Sequence, residues 1–482
     1  EPNPSPDELA DGREKTYVLE MLPYPSAGLH MGHMLVYTIG DVVAHFRRRN
    51  GMRVLHPQGF DSFGLPAENA AIKEGEHPRE LTERNIANIR RSMRRIGWAI
   101  DWTRELSTHE PSYYRWQQWM FLKFLERGLA YRKDAPVNWC PNDQTVLANE
   151  QVRDGRCERC GAEVELRLME QWFFRITDYA QALLDDLDTV DWPESIKARQ
   201  RNWIGRSEGA EIIFRIEELG EDVPVFTTRP DTLFGATFFV LAPEHGLVER
   251  LAEIAENGDE IREYVRRAAT KKTEERAAAE EKTGVFTGAH AINPVNGERI
   301  PIWVADYVLT DYGTGAIMAV PAHDERDHAF ARTFDLPIRV VVKPAEADIG
   351  DGEPFVEHTE NEVLVNSGEF TGLPAHEGGR RIVEKLAAEA KGRFAVNFRL
   401  RDWGFSRQRY WGCPIPVVYC ESCGIVPVPE DELPVLLPEI EDYKPKGVPP
   451  LAQAEEWVNV SCSQCGGPAK RETETMDTFV DS

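Results

Sequence analysis

No run of about 18 consecutive apolar residues occurs in the 482-residue chain, so no segment has the length of a membrane-spanning helix. The acidic, proline-containing start, Glu1 to Glu14, lacks the basic-then-apolar pattern of an export signal. These two absences lead to the expectation of a cytoplasmic protein with no membrane partner. Basic residues are also in deficit: 56 Lys+Arg against 81 Asp+Glu leave a formal net charge of −25. That excludes a general nucleic-acid coat, although local basic patches can still steer an RNA. No solenoid-type internal repeat is present. Cysteines are few, eight in all, and they are grouped: Cys140, Cys157 and Cys160, then Cys413, then Cys420, Cys423, Cys462 and Cys465. Without an export signal, such pairs suggest metal before disulfide. What is present, 41% hydrophobic residues with 12 Trp and 21 Phe, is ample for buried cores and excludes disorder. At roughly 100–200 residues per domain, the length allows about three to five domains. The chain begins at Glu1 rather than Met, and Thr473–Ser482 reads as part of an ordered segment, so a portion of a larger protein is expected.

Along the chain, TYVLEML (16–22) is a short β-rich run, followed by a Pro/Gly/Ser loop (23–28) and a helical stretch from about Met31 to Asn50. A second short strand, Met52 to Leu55, leads into PQGFDSFGLPAE (57–68). This alternation predicts a doubly wound parallel sheet whose strand ends carry a ligand site. Helical, Arg-, Trp- and Tyr-rich sequence runs from Arg79 to about Gly128, and a Cys-bearing segment (139–170) separates it from a second helical stretch (175–203). Near Gly205 the texture changes to strands: AEIIFRI (210–216), VPVFTTR (223–229) and ATFFVLA (236–242). An Ala/Glu/Arg helical excursion is expected over Leu247–Glu281, strands at Ile300–Leu309 and Ala316–Val320, a helix starting at Asp324, and a flexible loop at Ala345–Glu362.

The strongest chemical motif is His30-Met31-Gly32-His33, placed between strand and helix. A helix N-terminus offers N–H donors and a positive dipole to a phosphate. Two His add donors, and the Gly admits close approach of a backbone or base. Taken alone, the motif is equally a turn with two surface His. The run MLPYPSAGLHMGHMLVYTIGD (21–41) with PQGFDSFGLPAENAA (57–71) resembles the class I aminoacyl-tRNA synthetases, and within them the bacterial-type leucyl branch. The resemblance continues through NWCPNDQTVLANEQV (138–152), TTRPDTLFGATFFVLAPEH (227–245), GTGAIMAVPAHDERDHAFA (313–331), RDWGFSRQRYWGCPIPVV (401–418) and ETMDTFVDS (474–482). Isoleucyl and valyl enzymes share the architecture; the Pro-Tyr-Pro-Ser leader and Phe-Gly-Leu-Pro-Ala-Glu favour leucyl.

The resemblance implies an α/β fold: a Rossmann-like, doubly wound parallel catalytic domain (first half), an inserted β-rich α/β editing domain, and small zinc-ribbon modules. It divides the chain into catalytic 1–138, zinc knuckle 139–170, return and linker 171–207, editing 208–396, return 397–412, zinc ribbon 413–470, and the start of the second catalytic half, 471–482. It implies that ATP with Mg2+ and leucine form leucyl-adenylate, and that the leucyl group passes to tRNA-Leu. His30 and His33 are expected on the ATP phosphates and Gly32 beside adenine, with Tyr24 and Asp61 in the leucine site. Met21 and Leu22 are either contacts there or strand packing.

An apolar pocket discriminates a methylene by only about 1–3 kcal/mol, a limit that isoleucyl and valyl relatives illustrate, so a hydrolytic second site is the physical remedy. By the same resemblance, Thr227, Thr228, Arg229, Asp231 and Thr232 form a hydroxyl-rich strand end for a terminal ribose. Asp324, Asp327 and His328 stand at i, i+3 and i+4, a spacing that shares one helix face. Asp327 is expected to bind the α-amino group of misacylated tRNA, Thr232 to exclude leucine by bulk, and Met318 and His323 to line the pocket. For Asp324 and Thr228 the alternative is capping or strand-end hydrogen bonding.

Cys420-x2-Cys423 and Cys462-x2-Cys465 read as two knuckles around a structural Zn2+. Cys140, Cys157 and Cys160 supply only three thiols for a second ion, with Asp143 at the position of a fourth; Asp143, water, or a metal-free knuckle are the options. Cys413 reads as a buried small residue. Local basic runs, Arg47-Arg48-Arg49, Arg90-Arg91, Arg94-Arg95, Arg199, Arg201 and Arg206, are either tRNA contacts or solvated helix faces. No KMSKS-like second signature of the class and no anticodon-binding bundle occurs, so this polypeptide alone is expected not to form leucyl-adenylate at a useful rate. The rival readings are a subunit of a split synthetase, partnered with a C-terminal portion instead of acting as a monomer, and a free-standing misacyl-tRNA hydrolase.

Overall fold

The computed structural model describes residues 12–153, 155–269, 276, 282–308, 315–346, 353–356, 361–446 and 448–482. Most of the expected loop at Ala345–Glu362, the end of the helical excursion beyond residue 269 (apart from residue 276) and Leu309 lie outside the described residues. The chain forms two compact units, one from the segments up to Ile176 and from Asp402 onward, the other Thr177–Arg401. The second takes in the helices Ala180–Asp186 and Glu194–Ile204, which precede its first long strand.

In the first unit, strand Lys15–Tyr17 is followed by helix Met31–Arg49 and strand Arg53–Leu55, and the strands pair in parallel from Lys15↔Arg53 to Tyr17↔Leu55. A second parallel crossover links Gly59–Phe60 to Leu106–Ser107 through helices Leu65–Glu74 and Pro78–Ile96. These are the doubly wound steps the alternation predicts. Tyr37 locks the first helix to the strand exit by donating its hydroxyl to the Met21 carbonyl, 2.7 Å away. The opposite stripe of that helix, Leu35, Ile39, Val42 and Phe46, is exposed.

The core of this unit is aromatic. Phe63, Tyr114, Phe121, Trp172, Tyr410 and Trp411 are buried together, with edge-on ring contacts such as Phe63 to Trp411 at 5.1 Å. An antiparallel sheet pairs Ala130–Cys140 with Glu165–Phe174 and carries Thr145–Leu147 and Trp403–Gly404 on its two sides. A smaller one orders Gly424–Pro427, Val417–Cys420, Pro468–Arg471 and Asn459–Ser461.

The second unit is built on a seven-stranded sheet. Its path runs Glu221–Thr227, Arg206–Ile216, Gly284–Ile292, Arg299–Ala305, Phe238–Leu241 and Ala316–Ala319, with Gly392–Phe398 paired to Arg206–Ile216. Alternate inward residues Ala210, Ile212, Phe214 and Ile216 are fully buried, the two-residue period of a half-buried strand. The two ends of the path, Glu221–Thr227 and Ala316–Ala319, have Cα atoms within 8 Å of each other, so the sheet curls toward a barrel. Following the pairings from strand to strand makes these two ends run in the same direction. The segments leaving them, 228–235 and 320–327, therefore emerge at one rim. Among the described residues no helix is long and apolar enough to cross a membrane.

Candidate functional site

His30 is the N-cap of helix Met31–Arg49. Its Nδ1 accepts from the Gly32 N–H at 3.1 Å, while the His33 Nδ1 accepts from the His30 N–H at 3.2 Å. The two rings stack with centroids 3.9 Å apart. With each Nδ1 accepting, the neutral imidazoles carry their protons on Nε2 and present two N–H donors outward. Burial, and then His30, push the His33 pKa down, which holds it in that neutral form. A Cβ at Gly32 would sit 2.9 Å from His30 Cε1, so any larger residue would have to displace the imidazole from its cap. The Gly32 N–H is thus engaged by His30, and the imidazole Nε2–H groups are the donors left facing outward.

Asp61, 3% exposed, lies in the loop between strand Gly59–Phe60 and helix Leu65–Glu74, its N–H bonded to the Pro23 carbonyl at 3.1 Å. The Thr478 hydroxyl donates to its Oδ1 at 3.2 Å. Burial raises the Asp61 pKa to about 7 against the hydrogen bonds from Thr478 and Ser482; Asp477 adds to the rise and Arg159 opposes it. Tyr24 has its pKa raised by burial and by Asp61, and the Arg159 guanidinium lies 5.8 Å from its ring centroid. A narrow cleft alongside is lined by Gln151, Arg159, Arg407, Trp411, Asp477 and Thr478, with Arg407 paired to Asp477. Sequence reading did not assign Arg159, Arg407, Asp477 or Thr478 to a site. Met21 is exposed, and Leu22 packs by its side chain against Gly59.

In the second unit the predicted residues gather at the common rim. Thr227 Oγ1 accepts from the Arg229 N–H at 3.0 Å, and the Thr232 hydroxyl donates to the Arg229 carbonyl at 2.8 Å. The Arg229 guanidinium binds Asp231 at 2.6 Å and Glu362 at 3.3 Å. Asp231 is buried under helix Ala375–Ala388, where Gly379 lets the turn nest: a Cβ there would be 3.1 Å from the Asp231 nitrogen. Thr228 is exposed, and Met318 is buried opposite Phe239.

Asp324 is the N-cap of helix Glu325–Thr333, accepting from the N–H groups of Arg326 (2.8 Å) and Asp327 (3.1 Å). Asp327 turns inward and accepts from the Tyr307 hydroxyl and the Val320 N–H, both at 2.8 Å. Burial, followed by the charge of Asp324, raises its pKa to about 7. The His323 Nε2 accepts from the N–H groups of Val341 and Val342 at 3.1 Å, and its Nδ1 lies 3.2 Å from the Phe355 carbonyl. Its ring is thus anchored to three backbone groups. His328 Nδ1 lies 3.0 Å from the Pro321 carbonyl, so the three side chains foreseen on one face divide into a cap, a buried acceptor and a backbone tie. Tyr307, Glu362 and Gly379 were not foreseen.

Two cysteine groups are placed to hold a metal ion, each with four ligand atoms within 4.8 Å of one another: Cys420, Cys423, Cys462 and Cys465, and Cys140, Asp143, Cys157 and Cys160. In the first group each Cys-x2-Cys turn is followed by a glycine in the left-handed region, Gly424 (φ 75) and Gly466 (φ 72). Backbone N–H groups of Cys465 and Gln464 bring the Cys462 thiol down to about 7, toward the thiolate a metal requires, whereas hydrogen bonding with Cys465 pushes Cys423 up to about 12. In the second group Asp143 supplies the fourth ligand atom, its Oδ2 lying 3.5 Å from both Cys140 Sγ and Cys157 Sγ. Cys413 is fully buried.

The basic runs have mixed fates. Arg90 binds Glu105, and the Arg94 guanidinium stacks 4.9 Å from the Trp102 ring centroid. Arg201 binds Asp188 and Glu194, and Arg206 binds Glu208. Arg47, Arg48 and Arg49 occupy the last turn of their helix, where positive charge suits the dipole.

Residues 6–275 match the family model of the class I tRNA synthetases (I, L, M and V), and residues 201–387 match that of the leucyl-tRNA synthetase editing domain. The chain belongs to the class I tRNA synthetase family. Within it the similarity is to leucyl enzymes: the chain is 54% identical to the leucine–tRNA ligase of Thermotoga maritima over 473 residues and 58% identical to that of Rubrobacter xylanophilus over 474. Each alignment covers 98% of this chain and 57% of the relative, so the chain spans a little over half the length of these proteins. The crystal structure of the ternary complex of Agrobacterium radiobacter K84 agnB2 LeuRS with tRNA and LeuAMS is similar at a TM-score of 0.86 and 44% identity, over 98% of this chain and 56% of that one.

Proposed function

We propose that the protein activates leucine with ATP, transfers it to tRNA-Leu, and hydrolyses misacylated tRNA at a second site. The observation that carries this reading is the presence, in one compact unit of a class I synthetase chain, of a reciprocal His30/His33 cap on the first crossover and the buried carboxylate of Asp61 on the second. The leucine carboxylate attacks the ATP α-phosphate in line, a step that needs positioning and charge stabilisation in place of a side-chain nucleophile. The Nε2–H groups of His30 and His33 meet the phosphates of the Mg2+–ATP substrate. Gly32 leaves room for adenine. Asp61 receives the leucine ammonium, which supplies the positive charge its buried carboxylate lacks, and Tyr24 closes that pocket.

At the rim of the second unit, Asp327 receives the α-ammonium of a misplaced amino acid and Thr232 excludes leucine. Thr227, Thr228 and the Arg229–Asp231 pair shape the ribose side, with Asp324, Met318 and His323 holding the wall. Both cysteine groups take Zn2+, which when bound locks each knuckle; four thiolates, or three and a carboxylate, leave no open position for chemistry. The protein works in the cytoplasm as a monomer when full length. Leucine-dependent exchange of pyrophosphate into ATP by the full-length protein, and deacylation of isoleucyl- or norvalyl-tRNA-Leu, test the reading. Preferential exchange with isoleucine or valine would overturn it.

A further inference from the structure

Arg409 is only 2% exposed and sits among the largest buried side chains. All three guanidinium nitrogens are engaged: Nε with Glu68 Oε1 at 2.7 Å, one terminal nitrogen with Asn69 Oδ1 at 2.7 Å, and the other with the Asp143 carbonyl at 2.6 Å. Asn69 in turn donates to Asp143 Oδ1 at 3.0 Å, which turns Oδ2 toward Cys140 and Cys157. On its other side, Glu68 accepts from the Trp411 N–H at 2.7 Å. The Trp411 indole donates to the Ser62 carbonyl at 2.7 Å, and the Gly64 N–H returns to the Trp411 carbonyl at 2.8 Å. A continuous hydrogen-bonded chain therefore runs from the carboxylate of the Cys140 group to the residue that follows Asp61. Partners that orient a ligating carboxylate set metal affinity, and a buried Arg–Glu pair holds one geometry because breaking it leaves an unpaired charge.

We propose that Arg409 is a positioning residue that couples the metal ion of the Cys140–Asp143–Cys157–Cys160 group to the amino-acid pocket around Asp61, an inference that rests on the amino-acid reading above. The coupling is reciprocal: metal that tightens the amino acid is itself tightened by the same factor. The test measures zinc affinity of the full protein by competition with a chelating dye, without and with saturating leucine, and leucine affinity by calorimetry before and after chelation. In the wild type, leucine should tighten zinc at this group by about 5- to 150-fold and leave the four-cysteine group, the internal control, unchanged. Asn69→Ala keeps every ligand atom but should weaken zinc about 10- to 100-fold. Arg409→Lys keeps the charge opposite Glu68 and loses the fork, so zinc and leucine should each still bind while the coupling factor falls toward one; should that variant misfold, loss of coupling in Asn69→Ala carries the test. Leucine binding that leaves zinc affinity unchanged in the wild type, or coupling that survives both substitutions, overturns the inference alone. A wild type that binds no leucine overturns the amino-acid reading and this inference with it.

Discussion

Asp61 in the first unit and Asp327 in the second are both buried carboxylates, 3% and 4% exposed, and burial raises both to about 7. Their supports differ. Asp61 is met by the side-chain hydroxyl of Thr478 and stands beside the charges of Asp477 and Arg159. Asp327 is held by two donors from its own scaffold, the Tyr307 hydroxyl and the Val320 N–H, with Asp324 nearby. On the reading proposed above, Asp61 is the carboxylate that an incoming cation pairs with, while Asp327 also serves its own scaffold as an acceptor. The contrast predicts that the two carboxylates, raised alike by burial, differ in their tolerance to substitution.

Asp61→Asn should give the largest effect. Removing one member of a buried charge pair costs about 2–5 kcal/mol, so kcat/KM for leucine-dependent pyrophosphate exchange should fall by about 30- to several-thousand-fold, at about 1.4 kcal/mol per decade. Its thermal stability at pH 8 should not fall, because a neutral amide replaces a group whose ionised form burial disfavours. Asp327→Asn should abolish deacylation of mischarged tRNA by a comparable factor and, unlike the first variant, also lower stability. The amide nitrogen it introduces faces one of two donors, a mismatch of about 1–3 kcal/mol, readable in a denaturant melt. Equal stability changes in the two variants would break the comparison.

The pH dependence is the next largest effect. With Asp61 at about 7 in the folded protein against an ordinary value of 3.8, the folded state holds a proton that the unfolded state has lost. Its contribution therefore lowers stability as pH rises from about 4 through 7, while leucine affinity should rise over pH 6 to 8 as the carboxylate ionises. Asp61→Asn should flatten that rise in a leucine-binding titration. The smallest effects belong to the supports. Thr478→Val and Tyr307→Phe each remove one hydroxyl donor, worth about 1 kcal/mol, and should move the midpoints of leucine binding and of deacylation respectively to higher pH.

The crossover around His30 was legible because strand, turn and helix lie within forty or so residues and each carries a local pattern. Asp324 caps its helix, the alternative its sequence position offered, and its charge acts on Asp327. The long ordered motifs made the family legible. What stayed hidden was long-range. Thr478 reaches Asp61 across 417 residues and Arg409 reaches Glu68 across 341, and no periodicity links such positions. His323 reads as a pocket residue in the sequence, yet its ring is anchored to the backbone at residues 341, 342 and 355. Asp143 could be named as one option for a fourth ligand, but only the fold shows that Asn69 aims it.

The strands that open and close the second unit's sheet pair from Arg206↔Phe398 to Ile212↔Gly392. Chain entry and chain exit are thus neighbours, about 5 Å apart across a ladder, although about 190 residues separate them. Closing so long a loop adds only slowly to the entropy cost, since that cost grows with the logarithm of length. A genetic deletion between these two positions would leave ends that a short turn can rejoin, and a circular permutant could take its new termini from this same pair. The insertion is in this sense removable by construction, and its natural seam is the Arg206–Phe398 rung.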